Sequence, residues 1–205
     1  LLAILDQNLA ALTGGTTSSS LARPIPRSTG YNPASDPIPA DDNISKADPK
    51  SASSASLPSQ VDLRSAFNGA YNQGSLNNCA SNSTAGAVQY LLATSKAPTV
   101  VALAAEGFDP SRLFLYYGAR FMGDPSGTFN PKQDDGSYVS NAVYDVVHQG
   151  VTTELTPIPS AGNVSWPYDA KNLAVNPGPA LADAAINVRV THATNLMASS
   201  DQTAQ

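Results

Sequence analysis

The chain has 205 residues, enough for one medium domain with a real core or for a small domain with tails. Its 16 acidic and 11 scattered basic residues give a formal net charge of −5, which excludes the clustered Lys and Arg that a nucleic-acid surface needs to displace counterions. A single cysteine, Cys79, excludes an internal disulfide, and no apolar run approaches the roughly 18 residues that a transmembrane helix needs. The chain opens at Leu1 rather than methionine, so the sequence is silent on a signal peptide.

In the first segment Leu1, Leu2, Leu5, Leu9 and Leu12 recur at helical spacing and Gly14-Gly15 follows, so residues 1–15 are predicted as a short amphipathic docking helix. A helix of about twelve residues is marginal alone in water, so its apolar stripe needs a partner on this domain or on another chain. Its polar face lacks Lys and Arg, which argues against a membrane role. Residues 16–56 then shift to Ser, Pro, Ala and Asp, as in Ser18-Ser19-Ser20, Arg23-Pro24-Ile25-Pro26, Asp36-Pro37-Ile38-Pro39 and Ser51-Ala52-Ser53-Ser54. Too few large apolar groups are present there to offset the entropy of ordering, and the segment is predicted as a linker or extended arm.

The globular part is expected over residues 57–205. A helix is predicted from Cys79 to about Thr94, capped by Asn77 or Asn78, with Val88, Leu91 and Leu92 available to the core. Its first turns carry Ala80, Ser81, Ser83, Ala85, Gly86 and Ala87, small residues that let neighbouring backbone approach closely. A second helix is predicted through Leu113 to Arg120, with Asp109 as cap and Pro110 at its first position. A third runs from Tyr138 to His148, with Val139, Ala142, Val143, Val146 and Val147 on one side and Gly150 as the stop. An Ala-rich helical stretch follows at Ala180 to Ala185. Ile186, Val188 and Val190 then alternate with Asn187, Arg189 and Thr191 as in a half-buried strand. Residues 199–205 look like a helix cap and first turn.

Cysteine attacks carbonyls as a thiolate, and a helix N-terminus favours that anion through its unpaired N–H groups and its dipole. Cys79 is predicted at such a position. Acyl transfer also needs donors aimed at the developing oxyanion, which a glutamine amide and the backbone N–H of the nucleophile can supply. Gln73, six residues upstream with Gly74 permitting a tight turn, suits that role. The expectation is Cys79 at the buried N-terminus of the longest helix with Gln73 close by. Other constellations are weaker: Asp134-Asp135-Gly136 and Asp41-Asp42 lack the spacing of a calcium loop and read as turns. With no Gly-rich phosphate loop, clustered His and Cys, or G-x-S-x-G elbow, neither a cofactor nor a metal is expected. The sequons at Asn43, Asn82 and Asn163 are short, and Asn82 falls in a predicted helix.

Several separated motifs occur in one order: Leu57-Pro58-Ser59-Gln60-Val61-Asp62-Leu63-Arg64, Gln73-Gly74 before Cys79, Pro110-Ser111-Arg112-Leu113-Phe114-Leu115-Tyr116-Tyr117, Asp135-Gly136-Ser137, and Trp166-Pro167-Tyr168-Asp169. In these the chain resembles the papain-like cysteine peptidases, in their microbial and viral branch, over residues 57–205. The resemblance implies an α+β papain-like cysteine peptidase fold, mainly its helical half-domain plus the start of the β-rich half, preceded by the N-terminal helix and arm. It implies Cys79 as nucleophile, Gln73 as the oxyanion-hole side chain, and Gly136 as the glycine whose backbone pairs with an extended substrate. Asn77 then flanks the nucleophile on the substrate side. The chain departs from the family signature in having Asn77, Asn78 and Ala80 around the cysteine, where Gly, Ser or Ala and an aromatic residue are usual.

In that family the catalytic His and Asn follow the cysteine by about 130 to 150 residues, beyond Gln205. The expectation is therefore a partial domain whose C-terminal half is absent and which is inactive alone. His148 sits at a helix end and His192 after a strand, with Asn195 close behind. Ordinary structural roles are the better reading of both. The first functional expectation is peptide-bond hydrolysis through a thioester, with a peptide or protein as substrate. The alternative is a non-catalytic structural or binding component of a larger assembly, a virion or cell-surface complex, joined to other subunits through residues 1–56. A secreted or virion-associated location is favoured over a cytoplasmic one.

Overall fold

A computed structural model of the chain describes residues 43–46, 59–67, 69–124 and 128–195, together with the backbone at 4–5 and 9–10. Helix α1, Cys79–Thr94, has the predicted bounds, and Asn78 holds its N-cap position without making a side-chain cap bond. Helix α2, Pro98–Ala105, was not predicted from the sequence. It starts on Pro98, whose ring presets a helical φ, and its nearly all-apolar run shows no helical period.

Helix α3 spans Arg112–Met122, and its cap is Ser111, whose Oγ accepts from the Phe114 N–H at 3.2 Å. The predicted cap, Asp109, lies outside the helix because Pro110 pairs in extended form with Thr153. The Asp109 carboxylate instead accepts from the Tyr71 hydroxyl at 2.9 Å and from Gln89 Nε2 at 2.7 Å. Helix α4, Val139–His148, and helix α5, Pro179–Ala185, lie where they were predicted. Gly150 ends α4 at φ +80°, and a Cβ there would overlap the carbonyls of Ala185 and Val188, so both conformation and space require glycine.

The core joins α1, α3 and α4. Ala85, Val88, Leu91 and Leu92 meet Leu115, Val143, Val146 and Val147, and each large side chain buried there contributes about 1.5–3 kcal/mol. Ala80, Ser81, Thr84 and Ala85 are buried at the start of α1, as its run of small residues predicts.

Among the described residues five short strands complete an α+β arrangement: β1 (Ile4–Leu5), β2 (Leu9–Ala10), β3 (Ile44–Lys46), β4 (Arg189–Val190) and β5 (Ala193–Asn195). β5 lies between antiparallel β1 and parallel β3, and β2 pairs antiparallel with β4 through Leu9 and Val190. The predicted helix over residues 1–15 is thus corrected at the four described positions, which are strand. A helix that short is marginal by itself, whereas β4 and β5 offer unpaired backbone that an extended segment satisfies. Within the predicted arm, Ile44–Lys46 pairs with β5 and Ile44 joins the core. The rest of both segments, and the helix start expected at 199–205, fall outside the described residues. The strand expected from Ile186 is shortened because Ile186 closes α5 as its C-cap, although Val188 and Val190 are buried as alternation predicts. Among the described residues no helix is long and apolar enough to cross a membrane.

Candidate active site

Cys79 is the first residue of α1, and it is exposed rather than buried as expected, while Asn78 and Ala80 on either side of it are buried. The loop that leads into it is braced by a buried ion pair. Arg112, on α3, donates from Nη2 and Nε to the Glu154 carboxylate at 2.7 and 2.9 Å. Its guanidinium lies 4.5 Å from the Tyr71 ring centroid and 3.7 Å from that of Tyr168, and its Nη1 donates to the Asn72 carbonyl at 3.0 Å. The Tyr168 hydroxyl donates to the Gln73 carbonyl at 2.8 Å and lies 3.0 Å from Asn78 Oδ1. One guanidinium and one phenol therefore hold the Gln73 segment against the start of α1.

The Gln73 side chain donates from Nε2 to the Leu76 carbonyl at 2.8 Å. An amide carries two N–H groups, so this bond orients the side chain and leaves the second donor uncommitted. At the helix start, the Asn78 Oδ1 that would have capped the first turn is taken by the Asn82 Nδ2 at 2.9 Å. No hydrogen bond to another described residue engages the Cys79 backbone N–H. The first turn of α1 therefore keeps an open donor at Cys79.

Asn77 and Gly136 come together. Asn77 is exposed, and the carbonyl of Asn77 lies 3.5 Å from where a Gly136 Cβ would stand. Gly136 takes φ +80°, and its N–H donates to the Tyr116 hydroxyl at 2.9 Å. Its N–H is thus already engaged. The adjacent Ser137 makes no backbone hydrogen bond to another described residue, and its hydroxyl is buried without a partner. Asp134 carries the connection to Asn77: its carboxylate accepts from the Asn77 N–H at 3.0 and 3.1 Å, and its carbonyl accepts from Asn77 Nδ2 at 2.8 Å.

One of the chain's two histidines, His148, lies elsewhere. His148 is the last residue of α4, where its ring stacks on Tyr144 at 3.9 Å and its Nδ1 is 2.9 Å from the Tyr144 carbonyl. The Gly136 turn leads into the other end of α4, about 14 Å away along the axis at 1.5 Å per residue. His192 follows β4, and the chain just before β4 is anchored at the His148 end, where the Val188 carbonyl accepts from the Val151 N–H at 2.8 Å. Among the described residues no group of three or more His, Cys, Asp or Glu side chains is placed to hold a metal ion.

Sequence reasoning missed Asp134, Tyr116, Tyr168 and Glu154. Asp134 reads locally as a turn residue, and its bond to Asn77 spans 57 positions; those of Tyr168 to Asn78 and of Arg112 to Glu154 span 90 and 42. No short-range pattern carries such information.

No protein-family model and no curated protein sequence matches the chain. Among solved structures it is similar to xylellain, described as a cysteine protease from Xylella fastidiosa, at 25% identity and a TM-score of 0.49. The match covers 78% of this chain and 56% of that one.

Proposed function

We propose that the chain carries the nucleophile side of a papain-like cysteine peptidase site. The observation that supports this reading is the exposed Cys79 opening α1 with no described partner on its N–H, three residues after the Leu76 whose carbonyl holds the Gln73 amide. In this reading the Cys79 sulfur attacks the scissile carbonyl. The oxyanion takes the Cys79 N–H and the second Gln73 N–H, and collapse expels the amine and leaves a thioester that water hydrolyses. The proton of the thiol passes to a base and from it to the leaving amine. Because His148 belongs to the far end of α4 from the Gly136 turn, the base in this reading is a different histidine.

The test compares the full encoded protein with its Cys79→Ala variant on a fluorogenic peptide and a peptidyl epoxide. The reading expects hydrolysis to vanish with Cys79, and Gln73→Ala to lower kcat by about 100- to 1,000-fold with a smaller change in KM, as loss of one oxyanion donor does. Labelling of Cys79 no faster than free cysteine, with no turnover, would overturn it. That outcome would favour the second reading, a non-catalytic binding component, for which the placement of His148 at the far end of α4 is the supporting observation.

A further inference from the structure

We infer that Tyr116 and Asp134 form a positioning clamp that fixes the Gly136–Ser137 backbone relative to Cys79, so that an extended peptide is held in register with the nucleophile. The inference rests on the reading of Cys79 as nucleophile. It concerns residues that never touch the reacting atoms.

Attack on a peptide requires the sulfur and the carbonyl carbon within about 3–3.5 Å, so the backbone that holds the peptide must keep a fixed distance from the nucleophile. Here the two belong to separate pieces of chain. Cys79 stands on α1 and Ser137 just before α4, and with one cysteine in the chain no disulfide can join them. Their connection runs through four hydrogen-bonded groups. The Tyr116 hydroxyl donates to Asp134 Oδ1 at 2.5 Å and accepts from the Gly136 N–H at 2.9 Å. Asp134 in turn accepts from both the backbone and the side chain of Asn77, two residues before Cys79.

The clamp has a rigid footing. Tyr116 is fully buried on α3, with the Arg120 guanidinium 4.4 Å from its ring centroid. Arg120 donates to the carbonyls of Gln133 at 2.6 Å, Pro131 at 3.1 Å and Leu173 at 2.9 Å, so the segment before Asp134 is tied to the same helix. Burial, and next the hydrogen bond to Asp134, push the Tyr116 phenol above its ordinary value, so the hydroxyl keeps its proton and remains a donor at neutral pH. The backbone next beyond the clamp is that of Ser137, which makes no backbone hydrogen bond to another described residue, and backbone of that kind is what a peptide strand adds to.

The experiment uses the full encoded protein and two reagents for Cys79. Iodoacetamide is small and needs no peptide edge, whereas a dipeptidyl epoxide must lie along one. Tyr116→Phe and Asp134→Ala are expected to leave the iodoacetamide rate within about twofold while cutting the epoxide rate, and kcat/KM for a peptide, by up to about 100-fold, chiefly through KM. Asp134→Asn, whose amide oxygen can still accept from Asn77 and Tyr116, should recover most of the loss. If Asp134→Ala fails to fold, Tyr116→Phe, which deletes one oxygen, decides. Unchanged epoxide rates, or parallel falls with both reagents, would overturn the clamp while leaving Cys79 as the nucleophile. A wild-type protein with no preference for the epoxide would overturn the nucleophile reading itself, and the clamp with it.

Discussion

Asp145 is a residue whose protonation its surroundings alter. It sits on α4 fully enclosed, its Oδ2 has no hydrogen-bond partner, and burial raises its pKa well above the ordinary carboxylate value. The folded protein therefore holds a neutral acid where the unfolded chain holds a carboxylate. Below the unfolded value of about 3.9 both states keep the proton and Asp145 is neutral in its effect. Above that value only the folded state does, so stability falls as pH rises, by as much as about 1.4 kcal/mol per unit, until the folded group also ionises. Asp145→Asn is expected to remove that slope and to stabilise the protein at pH 7. Urea midpoints measured from pH 4 to 7 check this, and an Asn variant with the wild-type slope would show that Asp145 is ionised in the fold.

Between elements, the contact of α3 with α4 depends on Gly118, where a Cβ would overlap the Asp145 carboxyl group. Gly118→Ala should cost about 1–3 kcal/mol by overpacking, and pairing it with Asp145→Ala should recover much of that, a coupling that a double-mutant cycle reads directly. The second junction is Arg112 of α3 against Glu154 and two aromatic rings. Arg112→Met leaves a buried carboxylate uncompensated and is expected to cost about 3–5 kcal/mol in urea denaturation, most of it regained by adding Glu154→Leu. Because Arg112 also holds the Asn72 carbonyl, the single variant should lower peptide turnover through the Gln73 loop even under conditions where it is folded. Turnover unchanged in folded Arg112→Met would separate the ion pair from the site.

At the scale of the molecule, the segments before residue 57 contribute strands to the domain. β1 and β3 flank β5, β2 pairs with β4, and Ile44 lies in the main core. Deleting residues 1–56 should therefore lower the unfolding midpoint and speed amide exchange around Val190 and Ala193, measured by mass spectrometry. A plain linker predicts no change in either, so the deletion discriminates between the two descriptions of this segment.

What could be read without the fold was whatever short-range chemistry specifies. Helices α1 and α4 announce themselves by apolar spacing, Gly150 by the left-handed turn that follows α4, and Cys79 by its place after an Asn cap. Even there competition intervened: Ser111 displaced Asp109 as cap once Pro110 was drawn into a pairing with Thr153. The tertiary structure alone decided that residues 4–5 and 9–10 are strands, that Asp134 is a connector rather than a turn residue, and that Tyr168 reaches Gln73 across 95 positions. The physical reason is common to all of these. A side chain's local preference is worth a few tenths of a kcal/mol to about one, whereas pairing a backbone group or a buried polar atom that would otherwise be orphaned is worth about 1–3, and the partners that supply it are chosen by the packing of the whole chain.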